Sequence, residues 1–197
     1  MILRLIRGRG GSGEVERLRA DLHARLGPDS GEVAGPARYH LANRDGGDAR
    51  DVLVTAFWPT AEAAASGDAR GISPWAIARQ HLSDVVPQVF EIDETILRRS
   101  DDEPRCIRVA TGSFSKPGSD IEMLELLRLR APLIGDEMSE AYVGRRMVER
   151  AVEVTFVSAW RVAPEDRPLR EPFWPDIALR YDHFEIGVFD IIPLAGG

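Results

Sequence analysis

The sequence predicts an α+β protein made of two tandem β-α-β-β-α-β halves. Three observations support this fold class. The 197 residues are 44% apolar and 29% charged, which provides enough apolar material for a substantial core. Strand-like and helix-like patterns follow one another in the same order in both halves. Short motifs also recur in the same order, about one hundred residues apart, as expected for an internal duplication.

The first half is predicted to contain a strand, a long helix, a hairpin and a fourth strand. The helix should be capped by Ser12 and end at Gly27. Its apolar residues recur every three or four positions, so they share one packing face. Residues 61–84 are expected to be helical or loop sequence. The predicted strands of this half span residues 1–7, 37–42, 51–58 and 88–97.

The second half repeats this order. Ser119 and Glu122 have the spacing of a capping box and predict the start of a helix, and a short helix is expected near residues 175–179. The predicted strands span residues 105–114, 138–146, 152–160 and 181–192. The predicted domains are a first repeat at residues 1–97, a charged linker at 98–105 and a second repeat at 106–197.

Short recurring sequence motifs support the duplication. Trp58 ends its predicted strand as Trp160 ends the matching strand. Each match alone is at chance level, but their common order favours a tandem repeat. The other recurring motifs are Phe90-Glu91-Ile92 with Phe184-Glu185-Ile186, and Ile77-Ala78 with Ile177-Ala178.

The strand at residues 51–58 is apolar on both faces. Alternation places Val52, Val54, Ala56 and Trp58 on one face and Leu53 and Phe57 on the other. One layer of helices covers only one face of a sheet, and each large side chain left in water would forfeit about 1.5–3 kcal/mol. The two sheets are therefore expected to pack against each other.

Charge and cysteine content limit the partners. The net charge of −7 disfavours nucleic acid and anionic membrane surfaces, because both carry negative charge. No apolar run is long enough to span a membrane, and the N-terminal residues do not resemble a signal peptide. Cys106 is the only cysteine, so an internal disulfide is excluded and a cytoplasmic location is expected. The sequence leaves open whether the protein forms a homodimer.

One segment carries a family resemblance. Residues 54–64 read Val-Thr-Ala-Phe-Trp-Pro-Thr-Ala-Glu-Ala-Ala, a strand that ends in Trp58 before an acidic, alanine-rich helix start. Val157-Ser158-Ala159-Trp160 retains part of this pattern in the second half. The chain resembles the dimeric α/β barrel superfamily, with two ferredoxin-like halves in one chain, and the antibiotic biosynthesis monooxygenase-like families look closest.

The resemblance implies an oxygenase or haem-degrading activity in a pocket between sheet and helices. Trp58 corresponds to the family's pocket tryptophan, with Trp160 as its counterpart, and His81 loosely matches the family's helical histidine. Asn43, the only asparagine, follows the second strand, whereas haem-degrading members carry theirs on the first. No cofactor is predicted, and haem and flavin stay open.

Two other patterns have competing interpretations. Residues 8–13 have the G-x-G-x-x-G spacing of a dinucleotide-binding loop, but no buried parallel strand ending in an acidic residue follows, so a flexible loop is favoured. Glu91 and Glu185 form either a carboxylate pair or two solvated strand residues. No metal-ligand spacing occurs in the sequence, so no metal site is predicted.

The leading functional hypothesis is a cofactor-independent, monooxygenase-like enzyme. His81 is the predicted catalytic base, because neutral imidazole accepts protons near pH 7. Its partner would be a small apolar, aromatic or polyketide-like molecule. The alternative is a non-catalytic small-molecule-binding or structural protein of the same fold. The predicted substrate-binding residues are Trp58, Trp75, Trp160 and His40.

Overall fold

The computed structural model describes residues 1–27, 35–47, 49–98, 104–116, 118–130, 137–162 and 181–194. The chain forms two compact units. Unit 1 comprises residues 1–89 and 191–197, and unit 2 comprises residues 90–190. The predicted linker lies mostly outside the described residues, as does the predicted helix near 175–179, so the domain boundaries stay predictions.

Unit 1 contains a three-stranded antiparallel sheet with β3 in the middle. Ile2 of β1 lies opposite Trp58 of β3, and His40 of β2 lies opposite Thr55. A fourth strand, β4, starts in this unit and continues into unit 2. The elements are β1 (Ile2–Gly10), α1 (Ser12–Leu26), β2 (Arg38–Asp45), β3 (Arg50–Trp58), α2 (Ala61–Ala69), α3 (Pro74–Ala78) and β4 (Ser83–Arg98).

Helix α1 packs on the sheet through the apolar stripe that the sequence predicts. Val15, Leu18 and Leu22 are buried against apolar side chains of all three strands. Helix α3 contributes Ile77 to the same cluster. The sheet of unit 1 therefore has one face covered by helices, which we call the helix side.

The glycine-rich segment after the first strand differs from the prediction of a flexible loop. β1 continues through Gly10, and α1 begins at Ser12 with Gly11, rather than Ser12, at the N-cap position. The Gly11 N–H donates to the Glu14 carboxylate at 2.8 Å. A Cβ on Gly10 would lie 2.8 Å from Leu82, so glycine is needed here for close packing rather than for flexibility.

Side-chain caps start the two short helices of unit 1. The Thr60 hydroxyl accepts from the Ala63 N–H at 3.1 Å, and the Ser73 hydroxyl accepts from the Ala76 N–H at 3.1 Å. Pro74 stands at the first position of α3, where its missing N–H costs nothing. Both helices therefore begin where the local sequence favours a start.

Unit 2 contains an antiparallel sheet in the order β8-β5-β7-β6-β4. Helix α4 packs through Met123 and Leu127 on the apolar cluster of this sheet, which includes Trp160. The α4 N-terminus corrects the prediction: the Gly118 carbonyl accepts from the Glu122 N–H at 3.1 Å, so Ser119 lies inside the helix. The remaining elements are β5 (Cys106–Phe114), α4 (Ser119–Arg130), β6 (Met138–Val148), β7 (Ala151–Trp160) and β8 (His183–Ile191).

The α+β class and the antiparallel pairing are confirmed. Every residue from 52 to 58 in β3 is buried, as the sequence predicts for a strand that is apolar on both faces. The same holds for residues 154–160 in β7. The duplication and the packing of one sheet on the other stay predictions.

Gly67 lets α2 approach Trp58, and this contact gives a stability prediction. A Cβ on Gly67 would lie 2.6 Å from the Trp58 ring, whereas one on Gly13 in α1 meets nothing closer than 3.8 Å. Alanine normally stabilises a helix over glycine by about 0.5–1 kcal/mol, but overpacking costs about 1–3 kcal/mol. We expect Gly67→Ala to destabilise by about 1–2 kcal/mol and Gly13→Ala to stabilise slightly, as measured by urea denaturation. Equal effects of both variants would contradict the packing.

Candidate functional site

Trp58 lies on the helix side of unit 1, enclosed by small side chains. It is fully buried and packs against Ile2, Ala56 and Ala64, with Gly67 directly over the ring. Its indole N–H is buried, and none of the described residues accepts a hydrogen bond from it. A buried donor without an acceptor is costly, by about 1–3 kcal/mol, so this N–H marks a place where a ligand acceptor would be stabilising.

Tyr39 packs against two apolar clusters on the helix side of unit 1. It packs against the cluster around Trp58 and against the larger α1 cluster, which Trp75 also contacts. The Tyr39 hydroxyl donates to the Leu22 carbonyl at 3.2 Å, and burial raises the pKa of Tyr39, so the phenol stays neutral. The indole N–H of Trp75 is also buried without an acceptor among the described residues. We call Tyr39, Trp58 and Trp75 the aromatic group.

His81 lies just after α3 and bonds to α1. Its Nε2 is 2.8 Å from Oδ2 of Asp21, and the His81 side chain is largely buried. When the imidazole is neutral, this contact requires the proton on Nε2, because a carboxylate can only accept, and the lone pair is then on Nδ1. Arg25 also lies near Asp21, at 3.6 Å. This arrangement orients one ring nitrogen and leaves the other available.

An ion pair holds α2 on β1 next to Trp58. Nη1 of Arg4 lies 2.7 and 2.6 Å from the two carboxylate oxygens of Asp68. Both side chains are mostly buried, so loss of either one would leave an uncompensated charge in a poorly hydrated position. Asp68 follows Gly67, so the pair also positions the residue that covers the Trp58 ring.

His40 lies on the opposite face of the unit 1 sheet, which we call the helix-free face. Its members alternate with the helix-side residues along β1, β2 and β3. Burial lowers the pKa of His40 to about 4, and the positive charge of Arg38 acts in the same direction, so His40 is neutral at pH 7. Its buried Nε2 and the hydroxyl of Thr55, opposite it in β3, have no hydrogen-bond partner among the described residues.

Trp160 belongs to unit 2, where its polar atom is satisfied. The indole N–H donates to the Ser158 hydroxyl at 2.8 Å. The Arg108 guanidinium lies over the ring, 4.0 Å from its centroid, and both side chains are buried. Trp160 thus differs from Trp58 in its partners, although both tryptophans end matching strands.

The structure brings together some of the predicted site residues and separates others. Trp58 and Trp75 lie on the helix side, and His81 joins α3 to α1 there. His40 lies on the other face, and Trp160 lies in unit 2. Glu91 and Glu185 are both exposed, which supports the interpretation of two solvated residues. The roles of the five predicted residues stay predictions.

The described part of the chain has neither a metal-binding cluster nor a helix that could cross a membrane. No group of three or more His, Cys, Asp or Glu side chains there is placed to hold a metal ion. None of the described helices is long and apolar enough to cross a membrane.

Solved structures show the same fold at low identity. A Fusobacterium nucleatum protein provisionally described as a monooxygenase has a TM-score of 0.69 and 11% identity, covering 98% of this chain and 92% of that chain. An anthrone oxidase-like protein has a TM-score of 0.61 and 12% identity, covering 98% of this chain and 91% of that chain. A Listeria monocytogenes ferredoxin-fold protein related to antibiotic biosynthesis monooxygenases has a TM-score of 0.52 and 7% identity. The match covers 98% of this chain and 95% of that chain.

No protein-family profile matches the chain, and no curated protein matches its sequence. The structural likenesses therefore show the fold alone, and they include a ferredoxin-fold protein.

The unpartnered hydroxyl of Thr55 predicts an unusual stability change. Thr55→Val removes a buried polar group for which the described residues provide no partner, so we expect it to stabilise the protein by about 1–2 kcal/mol. Thr155→Val is the matched control in unit 2, because the Thr155 hydroxyl lies 3.1 Å from that of Thr111. We expect that change to destabilise by about 1 kcal/mol. Urea denaturation of both variants measures the difference, and a destabilised Thr55→Val would contradict it.

The low pKa of His40 predicts a loss of stability in mild acid. The unfolded chain binds a proton near the ordinary histidine pKa of 6.5, whereas the folded chain does so only near 4. Stability is therefore complete above pH 6.5 and falls as the pH drops, by about 2 kcal/mol at pH 5. We expect His40→Gln to lose less over this range in denaturation experiments at pH 7 and pH 5. Parallel losses in both proteins would contradict the burial of a neutral His40.

Proposed function

We propose that this chain is a monooxygenase-like enzyme that oxidises a small aromatic or polyketide-like substrate without a cofactor of its own. The aromatic group is the proposed binding site, and His81 is the proposed base. The fold shared with monooxygenase-like proteins supports the reaction class. The features of the helix side support the location.

The observation that carries the proposal is the pair of buried indole N–H donors on one side of the sheet. Neither the Trp58 nor the Trp75 N–H has an acceptor among the described residues. An aromatic ketone or phenol presents an oxygen acceptor on a flat apolar ring, which matches donors set among aromatic side chains. As the substrate loses a proton, negative charge grows on that oxygen and the hydrogen bonds strengthen.

His81 supplies the proton acceptor. Nδ1 would take the proton from the substrate carbon, and Asp21 would stabilise the imidazolium that forms, since its carboxylate is 2.8 Å from Nε2. The resulting carbanion reacts with oxygen. For anthrone, the ring CH₂ becomes C=O, one oxygen atom of O₂ enters the product and the other leaves as water with the two hydrogens. The substrate loses four electrons and O₂ gains four.

The alternative is a protein of the same fold that binds a small molecule without turning it over. The close packing of Ala64 and Gly67 on Trp58 favours it, because a filled contact leaves less room for a substrate at that ring. In that case the indole donors would still bind an aromatic acceptor.

The proposal predicts oxygen consumption with anthrone, the compound in the name of one structural neighbour. We expect the purified protein to convert anthrone to anthraquinone with no cofactor added, measured with an oxygen electrode and by ¹⁸O incorporation. His81→Gln should lower kcat about 100-fold or more, since a general base typically contributes that much. Asp21→Asn should lower it in the same direction, because the imidazolium loses its partner.

The exposed His23 provides the matched control, and His23→Gln should leave the rate unchanged. Anthrone binding that quenches tryptophan fluorescence, with no oxygen uptake, would favour the non-catalytic alternative. Turnover that requires added haem or flavin, or that survives His81→Gln, would contradict the proposed mechanism.

A further inference from the structure

Helix α2 covers Trp58 with very small side chains. The buried residues of α2 are Ala64 and Gly67, whereas α1 buries a valine and two leucines on the same sheet. The free energy of apolar burial scales with the area removed from water. Helix α2 is therefore held on the sheet by much less apolar contact than α1.

Two buried donors lie beside α2 without an acceptor among the described residues. One is the indole N–H of Trp58, and the other is the Nε–H of Arg4. The two residues are diagonal neighbours on the helix side, because Arg4 lies opposite Ala56 and Ile2 lies opposite Trp58 in the β1–β3 register. Keeping water away from such donors costs free energy, so displacement of α2 is partly offset by their hydration.

An ion pair holds α2 in the observed position. Nη1 of Arg4, on β1, lies 2.7 and 2.6 Å from the carboxylate oxygens of Asp68, on α2. The Arg4 side chain is 13% exposed and that of Asp68 20%. This contact exists only while α2 lies on the sheet. Removing either partner leaves the other charge poorly hydrated there, which favours displacement of the helix.

The ends of α2 allow it to move as one body. The Thr60 hydroxyl caps the first turn by accepting from the Ala63 N–H, and the Gly71 N–H donates to the Asp68 carbonyl at 3.0 Å. These bonds lie within the segment and move with it. Gly71 has a φ of +69°, and residues 59–60 are exposed. Short segments at the ends of an element can absorb the dihedral changes of a hinge.

We propose that α2 is a lid over Trp58, latched by the Arg4–Asp68 ion pair and hinged at residues 59–60 and at Gly71. The structure has the closed lid, and opening exposes the Trp58 ring and both donors. This inference rests on the proposed function for the identity of the occupant, an aromatic ketone or phenol. Such a molecule enters through the open lid, and its oxygen accepts from the Trp58 indole and from the Nε–H of Arg4.

Exchange of the Trp58 indole N–H in D₂O measures the opening, because this N–H meets water only when the lid is open. Protein labelled with ¹⁵N-tryptophan gives one NMR signal for each indole, assigned with Trp→Phe variants. We expect Arg4→Gln and Asp68→Asn each to accelerate this exchange about tenfold, since each breaks the latch. Arg4→Lys retains a cation for Asp68 and should exchange close to the wild-type rate.

Two controls separate lid opening from unfolding. The Trp75 indole N–H is buried in the same unit, but Trp75 packs on the α1 cluster, so its exchange should not change in the latch variants. Glu62→Gln alters an exposed carboxylate on α2 and should leave the exchange of Trp58 unchanged. Equal acceleration of the Trp58 and Trp75 signals would indicate unfolding of the unit and would overturn the lid. An unchanged Trp58 signal in both latch variants would do the same.

The wild-type protein provides a second measurement that needs no variant. Opening of α2 exposes little surface, so low concentrations of urea should hardly change the exchange of the Trp58 indole. Exchange that rises with urea as steeply as global unfolding does would overturn the proposal. No substrate takes part in these measurements, so a failed anthrone assay refutes the proposed oxidation alone and a failed exchange test refutes the lid alone.

Discussion

The burial of β3 on both of its faces is the constraint on which this structure depends. A strand with no solvent-facing side can hold polar side chains only where they are paired or where they serve a ligand, since an unpartnered buried group costs free energy. Helix α1 covers one face of the sheet, and its stripe of apolar residues provides the contacts that bury this face. The small residues of α2 follow as well, because Trp58 at the end of β3 leaves space for nothing larger.

This constraint separates two chemistries within one sheet. The helix side has two buried indole N–H donors, and a histidine held by a carboxylate links the end of α3 to α1 there. The helix-free face holds a neutral imidazole and a hydroxyl among apolar side chains. Because side chains alternate along a strand, neighbouring residues such as Tyr39 and His40 serve different faces. Adjacency in the sequence of a strand therefore does not indicate that two residues belong to the same site.

The sequence predicted the features that depend on local periodicity. The α1 stripe and the two apolar faces of β3 follow from spacing alone, and the structure confirms both. Features set by distant partners were missed. Asp21 lies 60 positions before His81, and Leu82 explains Gly10 only once the chain has folded. Ser12 is of a residue type that is preferred at a helix N-cap, but Gly11 occupies the N-cap position of α1.

The two tryptophans that end β3 and β7 have different partners. Trp160 gives its N–H to Ser158 and its ring to Arg108, so all its binding capacity is used inside unit 2. At the position of Ser158, β3 has Ala56, which has no hydroxyl, and no residue in the described part of the chain accepts from the Trp58 N–H. One hydroxyl thus separates a tryptophan whose N–H is satisfied within its unit from one whose N–H has no acceptor among the described residues. Thr55 and Val157 show the reverse difference, because unit 1 has a hydroxyl where unit 2 has an apolar side chain, and that hydroxyl has no partner among the described residues.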